Sequence, residues 1–450
     1  MTARRSTDSD VFAALRLPHV GAYVLGRTFS AIATMIVLTN VSWQLYEQTG
    51  DAWALGTMGL CHLVPAVALA IPAGHLADRF PRRDVAMAMH GVLAAVAAAL
   101  ALFSWMGAPV VWIYALLFVS GAARTLSNTS TSAILPQLLP PEQLASTNGW
   151  VAASLQVSMA LGPLIAGGLI PLGKGVAVSY GAAVLSHFLM LLCFRRLPVV
   201  TTHAQAASTP RDARQLLIGF DFIRQSPALR AVLILEILSV LLGDCVALLP
   251  MFAKDILLLG PVGLGWLRST WGAGSLAVAL LTTRLSPWQH PGRVLLLSYL
   301  GFAIATIGFG FSRSVALSLV CLFLIGACGQ TALLVRVTLA QMMTPDALRG
   351  RVYSVQLLSS SVANELGRFE SGAVAALWGP TASVVFGGLG TLGVVLITTK
   401  LAPLLRSLPP LHTVRPSTAG QPAELASRPM SSESIPRHPA APSAPGGGDT

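Results

Sequence analysis

One polar segment divides two long apolar runs in the first half of the chain: Gly74-His75-Leu76-Ala77-Asp78-Arg79-Phe80-Pro81-Arg82-Arg83-Asp84. The apolar runs cover residues 52–76 and 85–106. A helix of about 20 residues crosses a hydrocarbon core of about 30 Å, so each run is long enough to span a membrane. A short, arginine-rich loop between two such helices is typical of the cytoplasmic side of a membrane.

The composition of the whole chain indicates the same class. Hydrophobic residues make up 54% of the 450 residues and charged residues only 10%, whereas a soluble protein carries about 25% charged residues. The net charge of +11 does not indicate a nucleic-acid partner, because the basic residues are scattered at the ends of apolar runs. The five cysteines lie in or beside apolar runs without Cys-x-x-Cys spacing, which argues against disulfides and metal sites.

Apolar runs of membrane-spanning length recur along the chain. We count twelve, at residues 20–45, 52–76, 85–106, 110–135, 144–172, 175–194, 229–251, 263–285, 293–311, 315–339, 352–377 and 381–401. The sequence therefore predicts an all-α membrane protein of twelve transmembrane helices in two six-helix bundles, residues 20–197 and 229–401. Residues 1–19 are predicted to be a cytoplasmic leader, 198–228 a cytoplasmic middle loop, and 402–450 a disordered cytoplasmic tail that is too polar to bury a core.

Basic residues and tryptophans orient these spans. Arginines concentrate in the leader, the 77–84 loop, the middle loop and the segment around residue 350, which places both termini in the cytoplasm. Tryptophans lie at the predicted outer ends, where an indole favours the interface: Trp43, Trp53, Trp105, Trp112, Trp266 and Trp378. Within the middle loop, residues 212–225 have apolar side chains at helical spacing, which predicts an amphipathic helix on the membrane surface.

The polar segment resembles the loop between helices two and three of the major facilitator superfamily. The matching residues are Gly74, Leu76, Ala77, Asp78, Arg79, Arg82 and Arg83, while Pro81 stands where the family usually has glycine. Span five resembles the glycine–proline signature of exporters in that superfamily, through Gly149, Gly162, Pro163 and Gly167, with Ser158 and Ala166 in place of two glycines. Segments 44–50, 121–138 and 348–352 are similar to the enterobactin-exporter branch.

This resemblance implies a secondary transporter with two bundles around a midplane cavity. It implies export of a small organic molecule, siderophore-like or drug-like, by alternating access and proton antiport across the bacterial inner membrane. We expect a monomer surrounded by lipid, with no cofactor beyond the proton gradient. The alternatives are a same-fold importer, a lipid flippase, or a receptor or scaffold that transports nothing. An enzyme is not expected, because no nucleophile motif, metal-ligand spacing or soluble carboxylate pair is present.

Charged residues inside the spans are candidate site residues, because ionisable groups in lipid face a partner or a wet cavity. They are Arg27, Arg124, Glu236, Asp244, Arg268, Arg336, Glu365, Arg368 and Glu370. Asp244 and Glu370 have no opposite charge on the same helix face, and a carboxyl group in a dry cavity favours its neutral form. We therefore predict that these two acids carry the coupled proton.

The other candidates have alternative interpretations. Arg124 could hold an anionic substrate group or a buried acid. Glu365 and Arg368 could neutralise each other, since they lie three residues apart on one helix. Arg27 and Arg336 either join the site or extend to the interface, and Arg268 could pair with Asp255 or with a lipid headgroup. His62 and His187 are interpreted as helix-packing residues in preference to proton carriers.

The family resemblance also predicts a conformational gate at the polar segment. Asp78 is expected to face the start of span eleven, near Arg351 and Val352. A carboxylate there would be attracted to the free amides of a helix N-terminus and to arginines. The predicted gate comprises Gly74, Asp78, Arg79, Arg82 and Arg83.

Overall fold

Long helices account for almost all of the described chain. The computed structural model describes residues 17–69, 72–172, 175–199, 213–282, 288–406 and 408. The longer helices are α1 (Pro18–Thr49), α2 (Ala52–Ala68), α3 (Pro72–Arg79), α4 (Arg82–Met106), α5 (Val110–Ser132), α6 (Pro141–Leu169), α7 (Val176–Arg195), α8 (Ala213–Gln225), α9 (Pro227–Gly243), α10 (Gly260–Thr282), α11 (Pro291–Phe311), α12 (Val315–Met343), α13 (Asp346–Trp378) and α14 (Pro380–Leu401).

Prolines and glycines set where several of these helices begin and end. Pro18, Pro227, Pro291 and Pro380 each occupy the start of a long helix, where the missing N–H breaks no helical hydrogen bond. Between α1 and α2, Gly50 takes a left-handed conformation with φ of 63°, which an L side chain rarely adopts. These local signals allow very tight turns between successive spans.

Two six-helix bundles result, and they belong to a multi-pass membrane protein. Helices α1–α7 form the first bundle, in which α2 and α3 together make up the second span, and α9–α14 form the second bundle. Within the described residues, nine helical stretches are long and apolar enough to cross a membrane, and Ala52–Ala68 is a shorter apolar helix. α10 and α13 fall outside that set: α10 combines several glycines with Arg268, and α13 carries charges along its length. The fold class predicted from the sequence is confirmed.

The seventh span differs from its prediction as one continuous helix. α9 ends at Gly243, and Asp244 has non-helical dihedral angles, φ −75° and ψ 84°. The chain continues as a 3-10 turn (Val246–Leu248), a helical turn (Leu249–Met251) and a π-helical turn (Phe252–Ile256). The Asp244 side chain accepts a hydrogen bond from the Val246 N–H at 3.0 Å, where the new turn begins. Broken backbone at membrane depth is tolerated only where protein buries it or where it lines a cavity.

Glycines bring the two bundles together along two seams. In the α2–α13 seam, a Cβ atom on Gly372 would lie 2.6 Å from the Cα atom of Gly56. In the α6–α10 seam, a Cβ atom on Gly265 would lie 2.8 Å from the carbonyl oxygen of Pro163. Only glycine allows such close backbone approach. We call the end of the molecule where α1 begins the terminal end, and the other end the opposite end. Both seams lie toward the opposite end, where the two bundles are closed against each other.

Two predictions about surface placement need correction. α8 does not simply lie on a membrane surface, because Phe222 and Ile223 are buried against α13 and its neighbours. Leu217 and Phe220 on the same helix are exposed, so only part of its apolar face is free to meet lipid. Trp43 is buried and donates a hydrogen bond to Glu47 at 3.1 Å, whereas the other tryptophans expected at the outer interface are exposed at the opposite end.

Candidate functional site

The break in the seventh span lies beside a cluster of charges. Arg368 of α13 donates to both carboxylate oxygens of Glu365, at 2.9 and 2.8 Å. Its Nε atom lies 3.9 Å from a carboxylate oxygen of Asp244. The expected pairing of Glu365 with Arg368 is therefore present, and Asp244 does have an opposite charge nearby. The sequence could not show this partner, because it comes from another helix.

Glu370 lies two residues after Arg368 on α13. Its contact is a hydrogen bond of 3.4 Å from the Ser371 hydroxyl, and Ser371 also donates to the backbone carbonyl of Asp244 at 2.9 Å. Glu370 is within electrostatic range of Asp244. The two acids predicted to carry the proton thus lie in one connected region at the helix break.

A narrow cavity lies between the bundles at this level. Val246 and Ala247, which follow the helix break, line it together with Arg368 and Arg268. Arg268 of α10 crosses to the first bundle and donates to Ser42 of α1 at 3.0 Å. Of the two alternatives for Arg268, the pairing with Asp255 is not present among the described residues. Arg268 instead places a positive charge between the bundles.

Arg124 of α5 and His62 of α2 line a neighbouring cavity inside the first bundle. His62 is only 4% exposed, and neither of its ring nitrogens has a hydrogen-bond partner among the described residues. Arg124 likewise forms no hydrogen bond or close ion pair with the part of the chain that the structure describes. Leu38 lines both this cavity and the one between the bundles. His62 is therefore buried in the helix interior, as its interpretation as a packing residue requires, but its ring has no hydrogen-bond partner among the described residues.

His187 does make a packing contact, with a second histidine. The Nδ1 atoms of His187 and His90 are 3.2 Å apart, so one ring donates to the other. His90 Nε2 lies 2.9 Å from the Ser127 hydroxyl and 3.3 Å from that of Ser30. This buried network joins α1, α4, α5 and α7 and is in keeping with a structural role.

Glu236 and Arg336 form a buried ion pair in the second bundle. The two side chains are 4% and 6% exposed, and the Ser360 hydroxyl links them by donating to Glu236 at 2.6 Å and accepting from Arg336 at 2.9 Å. Arg336 therefore does not extend to the interface. Because a buried pair of this kind satisfies both charges, it is poorly placed to exchange protons with a cavity.

The first bundle has a polar contact at the equivalent position. Arg27 lies nine residues after the first residue of α1, as Glu236 does after the first residue of α9. Arg27 donates to the Thr131 hydroxyl at 3.0 Å; Thr131 and Arg336 also occupy matching positions on α5 and α12. The two halves therefore place polar side chains at matching positions of their helices, but the polar groups themselves differ.

The predicted gate residues lie at the terminal end. Gly74 is buried within α3. Arg82 donates to the carbonyl of Ala133 at 3.1 Å and Arg83 to that of Leu197 at 2.8 Å, so both arginines secure neighbouring chain segments. Arg79 is exposed. The side chain of Asp78 lies outside the described part of the structure, and its contact with the start of α13 stays a prediction.

Some residues of the exporter-like signature on α6 pack closely against other helices, and one does not. Gly167 packs against Gly265 across the bundle interface, and Gly162 packs against Met35 of α1. Ser158, which replaces a glycine, donates to the carbonyl of Thr28 on α1 at 3.2 Å. Gly149 has no atom within 4 Å of the position of a Cβ, so a packing role for Gly149 is not present in this conformation.

Two contacts between the bundles were not foreseen. At the opposite end, the Tyr46 hydroxyl donates to Asp255, and the Lys254 ammonium lies 5.5 Å from the centre of the Tyr46 ring. Deeper in, Gln156 donates to Gln330 at 2.9 Å. Both depend on the packing of distant helices. For the second contact, the sequence signal was a glutamine within each of the spans α6 and α12, since a polar side chain in a membrane span needs a partner.

The fold and this charged interior define a transporter of the major facilitator superfamily. A family model described as transmembrane secretion effector matches residues 11–427, and the chain belongs to that family. No group of three or more His, Cys, Asp or Glu residues that could hold a metal occurs among the described residues.

Individual proteins resemble the chain along most of its length. It is 28% identical to the enterobactin exporter EntS of Escherichia coli O1:K1, over 84% of this chain and 91% of that protein. EntS of Shigella boydii serotype 18 matches with the same identity and coverage. A crystal structure of the nucleoside transporter NupG aligns with a TM-score of 0.67 at 12% identity, covering 86% of this chain and 100% of that one. The human organic anion transporter MFSD10 aligns with a TM-score of 0.62 at 16% identity, covering 85% and 99%. These structures share the fold.

Proposed function

We propose that this transporter exports a small organic molecule, siderophore-like or drug-like, from the cytoplasm by alternating access with proton antiport. The observation that carries the proposal is the polar site at the helix break, where Asp244, Glu365 and Arg368 meet beside a cavity between the bundles. Broken helices at the repeat interface are where secondary transporters bind substrate and coupling ions. Similarity to proteins named enterobactin exporter supports the direction of transport.

The proton carriers in this proposal are Asp244 and Glu370. Arg368 stabilises the charged form of Asp244 but is shared with Glu365, so a small shift of Arg368 toward Glu365 would favour protonation of Asp244. Among the described residues, Glu370 has only a hydroxyl donor. Glu236 is excluded from the carriers by its buried partner Arg336.

The orientation in this proposal places the terminal end in the cytoplasm of a bacterium and the opposite end outside the inner membrane. The distribution of arginines supports it. The seam glycines and the Tyr46–Asp255 contact then close the external side, which leaves the substrate to enter from the cytoplasm.

Two experiments test the proposal. Overproducing cells are screened against siderophores and antibiotics for resistance and efflux, with an Asp244→Asn variant as the inactive control. Single-cysteine variants at Ala108 and Gly260 are labelled with an impermeant thiol reagent. We expect efflux of at least one compound and labelling of both positions from outside; labelling at 260 only from the cytoplasm would contradict the orientation.

A further inference from the structure

We propose that Arg124 and His62 together bind an anionic group of the transported molecule. This inference rests on the proposed function and names the substrate class that the site accepts. Both side chains line one cavity. Both ring nitrogens of His62 are buried without a hydrogen-bond partner among the described residues, and Arg124 forms no hydrogen bond or close ion pair with those residues. Arg124 is partly buried inside the bundle, where a guanidinium without a partner is costly, so its presence calls for a ligand.

The chemistry of the two groups selects the ligand. Guanidinium presents donors in a fork that matches two carboxylate oxygens, and a neutral imidazole adds one N–H donor. Carboxylates and deprotonated catechols or phenols offer acceptors of this kind. A cation is disfavoured, because Arg368 is also within electrostatic range of both Arg124 and His62.

The neighbouring charges do not already fill this role. Glu365 is within electrostatic range of Arg124, but both of its oxygens accept from Arg368. His187 reaches the same cavity but is bonded to His90. Arg268 is bonded to hydroxyls of α1 on the other side of Leu38. Among the described groups around the cavity, Arg124 and His62 are therefore the pair left for a ligand.

This assignment also constrains the coupling. An anion beside Arg124 weakens the attraction between Arg124 and Glu365, so Glu365 holds Arg368 more closely and protonation of Asp244 is favoured over proton release. Antiport therefore requires a second feature of the substrate, namely hydrogen-bond donors that reach Asp244 or Glu370 and stabilise their charged forms. The transported molecule is thus an organic anion that also carries hydroxyl or amine donors.

The test compares salicylate with salicylamide, which have nearly the same shape but differ in charge. Thermal unfolding of the purified full chain in detergent is followed against the concentration of each probe, since a ligand that binds only the folded state raises the Tm. We expect salicylate but not salicylamide to raise the Tm. Arg124→Gln and His62→Phe should each weaken salicylate binding about tenfold or more, while Arg313→Gln, an exposed loop arginine at the opposite end, leaves it unchanged.

A second readout separates binding from a structural role. Without ligand, Arg124→Gln should unfold at the same or a higher temperature, because it removes a partly buried charge that has no close partner among the described residues. Loss of an arginine with a structural role would instead lower the Tm. Equal stabilisation by salicylamide, no stabilisation by either probe, or unchanged salicylate binding by Arg124→Gln overturns the inference. If Arg124→Gln does not purify, the test uses His62→Phe, and unchanged salicylate binding by that variant overturns the inference. Anion binding without flux in vesicles would contradict the proposed function alone.

Discussion

Adding one methyl group at Gly372 should open the side of the molecule that the structure shows closed. Gly372 on α13 faces Gly56 on α2, and the α2–α13 seam is a contact between the two bundles. In Gly372→Ala the new Cβ atom would lie 2.6 Å from Gly56 Cα and 2.9 Å from the carbonyl oxygen of Ala52. All of these neighbours are backbone atoms, so no side chain can rotate away.

The size of the effect follows from that distance. Carbon atoms in contact prefer about 3.5–4.0 Å, so the seam must widen by about 1 Å. Overpacking of this kind costs about 1–3 kcal/mol, and the cost falls only on the conformation in which the seam is closed. The equilibrium should therefore shift about 5- to 150-fold toward the conformation open at the opposite end.

Accessibility of the cavity measures this shift. The five cysteines are replaced by alanine, and Val246, which lines the cavity, is changed to Cys as the reporter. We expect Gly372→Ala to raise the rate of labelling by an impermeant thiol reagent from the opposite end. Gly181→Ala is the matched control, because a Cβ atom there meets nothing within 4 Å. An unchanged rate in Gly372→Ala would show that the seam does not hold the opposite end closed.

Three further variants test individual residues. Glu236→Gln should lower the free energy of unfolding by about 3 kcal/mol, because Arg336 is left buried without its carboxylate. The control is Asp221→Asn, in the exposed pair with Arg224, which should leave the Tm unchanged. A similar Tm for both variants would contradict the structural role of Glu236. Asp78→Asn should slow transport while leaving substrate binding and the Tm nearly unchanged, as expected for a residue of the conformational gate. Undiminished efflux at equal abundance in the membrane would count against this role of Asp78. Glu365→Gln should reduce uphill efflux less than Asp244→Asn does, since both proposed proton carriers, Asp244 and Glu370, are retained. Equal loss in a flux assay would make Glu365 a carrier as well.

The sequence predicted the helices well because membrane spans are determined by local composition. An apolar run of about 20 residues has few alternatives in lipid, where backbone polar groups must bond within the helix. The predicted spans agree with the observed helices to within a few residues at most ends, as in the helix Pro380–Leu401. The second span, predicted as one helix, comprises α2 and α3. The seventh span is broken at Asp244, whose backbone carbonyl accepts a hydrogen bond from Ser371 of α13. No run of residues could reveal that contact.

Charged residues were identified as candidates, but their partners could not be assigned from sequence. Pairing within one helix follows from spacing, so Glu365 with Arg368 was foreseen. Pairing between helices depends on rotation and depth, so the contact of Asp244 with Arg368 and that of Glu236 with Arg336 were not. His62 was interpreted as a packing residue because a missing partner is visible only in three dimensions.

Uphill transport in everted membrane vesicles tests the central claim most directly. A compound found in the efflux screen is added outside vesicles whose interior is made acidic, and its uptake is followed with and without a protonophore. The wild-type chain is predicted to accumulate the compound above equilibrium only while the pH gradient lasts, and Asp244→Asn is predicted to equilibrate it without accumulation. Full accumulation by Asp244→Asn, or accumulation by the wild type that persists after the gradient collapses, would contradict proton antiport through this site.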